Sequence, residues 1–132
     1  MNEADPVSSV DAAPSNIDVD EDWQVALEAA ASRKAEHPIV LHIGAVSSFT
    51  DHFLLLTGNN QRQTLAIAEA IETSLKAHGV RAIGIEGRQS GEWILMDYGD
   101  FVVHVFSPEK REFYDLERLW KSAPRLPLPE AA

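Results

Sequence analysis

The run from Trp93 to Phe106, WILMDYGDFVVHVF, consists of two short, largely apolar stretches separated by Asp97-Tyr98-Gly99-Asp100. Short apolar runs rich in aromatic and β-branched residues and bounded by turn residues read as strands. The run predicts two strands joined by a tight turn at Tyr98-Gly99. That turn sets Asp97 opposite Asp100, Leu95 opposite Val102 and Trp93 opposite His104, and places those six residues on one face. Ile94, Met96, Phe101, Val103 and Val105 form the other face, which is wholly apolar and belongs on a core. The first face mixes an indole, an imidazole, aliphatic groups and two carboxylates.

The same reading extends along the chain. A helix is predicted from about Asp20 or Glu21, where three acidic residues suit the positive end of the helix dipole. Its apolar stripe is Trp23, Leu27, Ala30 and Ala31, and His37-Pro38 should end it. Ile39–Ile43 reads as a strand closed by Gly44. His52–Thr57 is apolar on both faces, as expected of a central strand. Gly58-Asn59-Asn60 turns into a second helix with an asparagine cap. Its stripe of Leu65, Ala68, Ile71 and Leu75 leads to Gly79, placed to end it in a left-handed conformation. Val80–Ile85 is a third strand, followed by a loop from Glu86 to Gly91. After the hairpin, Ser107-Pro108 should start a short helix running through Tyr114, Leu116, Leu119 and Trp120.

The predicted order is therefore α-β-β-α-β-β-β-α, an α/β fold with a mixed sheet of about five strands. The crossover through Asn60–Gly79 should be right-handed. Residues 20–123 form the expected single domain. Residues 1–19 are polar and proline-containing and read as a disordered tail. Residues 124–132, with three prolines, read as an extended or disordered tail.

Composition narrows the function. The chain has 132 residues and a formal charge of −10. A nucleic-acid binder needs a basic stripe to displace counterions, so direct DNA contact is not expected and RNA contact is small at most. The acidic balance favours a basic partner. No cysteine is present, which removes thiolate and disulfide chemistry. No apolar run is long enough to cross a membrane. The N-terminus resembles neither a secretory nor an organelle signal, so the expected location is the cytoplasm.

Catalytic constellations are sparse. Of the five histidines, His42, His52 and His104 fall on predicted strands, but none is spaced as a metal ligand pair, and ordinary strand residues are the simpler reading. No cofactor is expected. The Gly58 turn between a strand and a helix is similar to the glycine turn of nucleotidyltransferases. Such enzymes need two or three carboxylates around magnesium. No Asp-x-Asp follows the turn, so an enzyme of that type is the alternative reading.

With few helices, one side of the sheet should stay open. The apolar face takes the helices, leaving Trp93, Leu95, Val102 and Phe106 on the other side. Contiguous exposed apolar groups of this kind mark interaction sites. The competing possibility is that the C-terminal helix folds over them.

The segments SSFTDHFLLLTGNNQRQTLAIAEAI and GIEGRQSGEWILMDYGDFVVHVFSPEKREFYDLERLW, ending in SAP, carry a longer likeness. Over about Trp23 to Pro124 the chain resembles the ribosomal silencing factor family, also called Iojap-like. The resemblance implies a nucleotidyltransferase-like fold without the catalytic acids, and no enzymatic activity. It also implies binding to a large-subunit ribosomal protein of the uL-fourteen type, which blocks subunit joining and represses translation. The contact residues it implies are Trp93, Leu95, Asp97 and Tyr98, with Gly87 and Arg88 in the preceding loop. Asp100, on the same predicted face, is added as a further candidate. His52 stands where the family commonly has an aromatic such as tyrosine. A homodimer through the open face is a further possible association.

Overall fold

A computed structural model describes residues 21–128. The expected tail at 1–19 and the last four residues lie outside the described part. The elements are α1 (Asp22–Ser32), β1 (Glu36–His42), β2 (His52–Thr57), α2 (Gln61–Ala77), β3 (Gly84–Glu86), β4 (Trp93–Asp97), β5 (Phe101–Phe106), α3 (Pro108–Tyr114) and α4 (Leu116–Leu119). A single 3₁₀ turn, Ile43–Ala45, follows β1.

The five strands form one mixed sheet in the order β1-β2-β5-β4-β3. β2 runs parallel to β5, and the other three pairings are antiparallel. β2 is central, and every residue from Phe53 to Thr57 is buried. That explains its unbroken apolar run, since neither face meets water.

α1 and α2 cover one face. Ala26, Ala29 and Ala30 of α1 pack in one core with Ile67, Ala68, Ile71 and Leu75 of α2 and with Ile94, Met96, Phe101, Val103 and Val105 of the hairpin. The buried stripe of α1 thus runs through Ala26 and Ala29, whereas Ala31, expected to be inside, is exposed. Small side chains on this stripe let the helix approach closely.

Helix ends follow local chemistry with one exception. Asn60 caps α2, its side chain accepting from Gln63 N at 2.9 Å, and Gly79 has φ of +79° just past the end. Ser107 caps α3, accepting from Lys110 N at 3.2 Å, with Pro108 in the first turn. α1 is the exception, because it stops at Ser32 and not at His37-Pro38. Gln63 of α2 donates to the carbonyls of Arg33 and Lys34 at 3.1 and 3.0 Å. This tertiary cap frees the chain to enter β1 early. Pro38 then lies within an edge strand, at an irregularity between Glu36 and Ile39, where its missing N–H is tolerated.

Two further expectations are corrected, and the C-terminal segment is found extended along the sheet. The third strand is only Gly84–Glu86. The C-terminal helical segment is split, because Asp115 adopts a left-handed conformation (φ +48°) between α3 and α4. Beyond Ala123 the chain does not leave the fold at once. Pro124 O accepts from His42 N at 2.7 Å and Leu126 N donates to Val40 O at 2.9 Å. The segment thus pairs with the outer edge of β1, which would otherwise present free backbone groups.

Candidate functional site

The face of the sheet opposite α1 and α2 carries a second core. Leu41, Ile43, Phe53, Leu55, Val102, Phe106, Leu116 and Ala123 are buried there, with Ile39, Trp93, Leu95 and Trp120 packed at its margin. The C-terminal helices cover part of this face. Val102 and Phe106, expected in the open, are inside at 5% and 1% exposure. Trp93 and Leu95 remain half-buried at its edge.

The hairpin register differs from the expected one by one residue on each strand. Trp93 pairs with Phe106, Leu95 with His104, and Asp97 with Val102. The loop centres on Gly99-Asp100. A two-residue hairpin loop needs a positive φ at its first central position. Gly99 supplies it at +86°; the expected register would have forced Tyr98 there. A shift of one residue on both strands leaves the faces unchanged, so the sorting of side chains survives. The facing carboxylate pair does not. Asp97 Oδ1 instead accepts from Gly99 N at 2.9 Å and closes the turn. Asp100 is exposed at the tip, and its carbonyl accepts from Asp51 N and His52 N at 3.0 and 3.2 Å.

Trp93 is the centre of a strip of rings. Its indole lies 4.5 Å from the Tyr114 ring and 5.2 Å from that of Phe106. Its Nε1–H donates to His104 Nδ1 at 3.1 Å. His104 meets Phe53 edge-on at 4.6 Å, and Phe53 in turn meets Phe49 and Trp120. Tyr114 continues to Phe113 at 4.9 Å. At the ends of the strip, Phe113 and Phe49 are 74% and 68% exposed.

The other candidates lie elsewhere. Tyr98 stacks on Phe101 at 5.0 Å within the helix-side core, with its hydroxyl buried and without a partner among the described residues. Burial, reinforced by nearby Glu72 and opposed by Arg88, pushes this phenol up to about 12. Arg88 is ion-paired with Glu72 of α2. A Cβ on Gly87 would fall 1.9 Å from Trp93 O, at a φ of +92°. Gly87 therefore shapes the loop behind the indole, and Arg88 pins that loop to α2.

Phe49, Phe113 and Tyr114 were missed by sequence reasoning. One signal was available, since Phe113-Tyr114 are adjacent on a seven-residue helix and cannot both face inward. The strand histidines do not converge. His42 and His52 stack at 5.2 Å, with Trp23 of α1 5.4 Å from His52, whereas His104 lies on the other side of the sheet. Among the described residues no three His, Asp or Glu side chains are grouped to hold a metal ion.

The Gly58 turn has a packing explanation. A Cβ there would lie 2.8 Å from Thr64 Cγ2 and 3.0 Å from Thr64 N, so glycine admits the first turn of α2. Nearby is an open cleft whose lining includes Asn60, Ser90, Glu92, Ser107, Glu109 and Lys110. Of its two carboxylates, Glu92 pairs with Lys110 at 3.7 Å.

A family model described as "Ribosomal silencing factor during starvation" matches residues 16–132. The chain belongs to the ribosomal silencing factor family. It is 37% identical over 105 residues to the ribosomal silencing factor RsfS of Halalkalibacterium halodurans, covering 80% of this chain and 90% of that protein. A crystal structure of a Chromobacterium violaceum protein superposes with a TM-score of 0.76 at 36% identity, covering 88% of this chain and 93% of the other. A more distant relative is the mouse "Mitochondrial assembly of ribosomal large subunit protein 1", 31% identical over 84 residues, or 61% of this chain and 37% of that protein. Within the ribosomal silencing factor fold, then, the aromatic strip around Trp93 sits on the sheet face that α1 and α2 leave free.

Proposed function

We propose that this protein is a non-catalytic repressor of translation that binds the large ribosomal subunit in the cytoplasm. The partner is a basic ribosomal protein of the uL-fourteen type, and the bound domain blocks joining of the small subunit. The observation that carries this reading is the half-buried Trp93 indole flanked by the exposed rings of Tyr114 and Phe113. Aromatic anchors bordered by charge are the usual composition of binding hot spots. Trp93, Leu95, Asp97 and Asp100 supply the contact together with these rings. Gly87, Arg88 and Tyr98 hold the loop and hairpin that present it.

The mechanism is exclusion. A folded unit of this length is about 25–30 Å across, wide enough to keep two surfaces apart. The charge of −10 steers the domain toward a basic protein and away from the surrounding RNA. The family membership and the name of the mouse relative, which refers to the large subunit, both support this direction.

Sedimentation with purified ribosomal subunits tests it. The protein should travel with the large subunit and lower the yield of joined ribosomes when small subunits are added. Migration with the small subunit, or with neither, would refute the proposal. Light scattering on the free protein reports whether it dimerises. Dissociation of such a dimer by large subunits would show that the two uses compete.

A further inference from the structure

His104 is an expensive residue for its position. It is 4% exposed, between Phe53, 4.6 Å away and edge-on, and Phe106, nearly parallel at 6.0 Å. Its Nδ1 accepts the indole proton of Trp93 at 3.1 Å. A neutral imidazole that accepts at one nitrogen carries its proton on the other. That Nε2–H is buried and without a partner among the described residues. A buried donor left unpaired costs stability, and a leucine or phenylalanine would fill the space without that cost. What the imidazole adds is one acceptor aimed at the indole.

We infer that His104 is a positioning residue for Trp93, holding the indole in one orientation and consuming its N–H, so that a partner meets only the ring. This rests on the reading of Trp93 as a partner contact. Burial holds the imidazole near 4, so at neutral pH it is uncharged and able to accept. Tyr114 and Phe106 pack against the same indole, which limits its freedom further. The consequence is chemical selectivity. An indole whose N–H is already bonded does not recruit a carbonyl or carboxylate. It takes an aliphatic chain or a cation over its π face. The group it selects is therefore the stem and charge of a lysine or arginine side chain.

Hydrogen exchange of the three indole protons in the ¹⁵N-labelled full chain tests the geometry. The Trp93 proton, assigned by its loss in Trp93→Phe, should exchange more slowly than that of Trp23, which is bonded to exposed Glu21. Equal exchange would overturn the inference, and this measurement needs no altered core. Binding to purified large subunits tests the role. His104→Leu, which removes the acceptor, should weaken binding roughly fivefold to tenfold, as loss of one hydrogen bond does. His104→Asn places an amide oxygen near the Nδ1 position and should restore most of that loss. Equal affinities for the leucine and asparagine variants would also overturn it. Wild-type affinity of Trp93→Ala would remove the contact reading itself. Weakened Trp93→Ala beside unchanged His104→Leu would remove only the role of His104.

Discussion

Arg111 and Glu117 meet at two points, Nε to Oε1 at 3.2 Å and Nη2 to Oε2 at 3.1 Å. The same guanidinium donates to Thr57 Oγ1 and to His37 O, each at 2.8 Å. One side chain thus ties α3 to α4, to β1 and to β2. Tyr114, three residues on, is held against Trp93 by this clamp.

Arg111→Met should therefore destabilise the fold by about 2–3 kcal/mol. It leaves Glu117 without its partner in a site where both side chains are largely covered, 11% and 23% exposed. Urea unfolding measures the loss. An unchanged midpoint would show that the clamp is ornamental. Large-subunit binding should fall with it, because the Tyr114 wall loosens.

Acid should act through His104 first. Burial lowers its imidazole from 6.5 to about 4. The unfolded chain then binds more protons between those values, so stability is full above about pH 6.5 and falls as pH drops toward 4. The loss across that window is on the order of 3 kcal/mol. Below it, Glu117 adds a further loss. Burial raises its carboxyl, but the Arg111 hydrogen bond and charge outweigh this, and the net shift is downward. As pH falls from 6.5 to 4, wild type should lose stability relative to His104→Leu, so the two curves should not stay parallel. Parallel curves would contradict the burial of a neutral ring.

Gly87→Ala should cost at least about 2 kcal/mol. The left-handed backbone and the close approach to Trp93 O both exclude a side chain there. Thermal unfolding should show a lowered midpoint, and the Trp93 fluorescence should change as the loop shifts. A midpoint equal to wild type would mean that the loop re-forms without strain.

Trp93→Ala should weaken binding to large subunits by about 2 kcal/mol or more, as hot-spot aromatics do. Calorimetry of a variant shown to be folded decides this. Wild-type binding should also weaken as salt rises, because the acidic rim contributes to association. An affinity independent of salt would rule out charge steering.

Much of this was legible in the chain itself. The α2 boundaries followed from Asn60 and Gly79, and the start of α3 from Ser107-Pro108, because caps are local chemistry. The two faces of the hairpin followed from alternation alone. Its register did not, because choosing between Tyr98-Gly99 and Gly99-Asp100 depends on which residue takes the positive φ. The tip is also held from outside, by Thr50 Oγ1 donating to Gly99 O at 2.8 Å. The early end of α1 was hidden for a similar reason, since its cap, Gln63, lies 30 residues away from Arg33.

Periodicity and capping residues settled which segments are helices and strands, and which side of each strand is apolar. These depend on neighbours within one or two turns of chain. Only tertiary packing decided that α3 and α4 close over Val102 and Phe106 yet leave Trp93 at the rim. It alone also brought Tyr114 and Phe53 alongside the Trp93–His104 pair. Those relations join residues distant along the chain, and no local pattern encodes how far a covering helix reaches across a sheet.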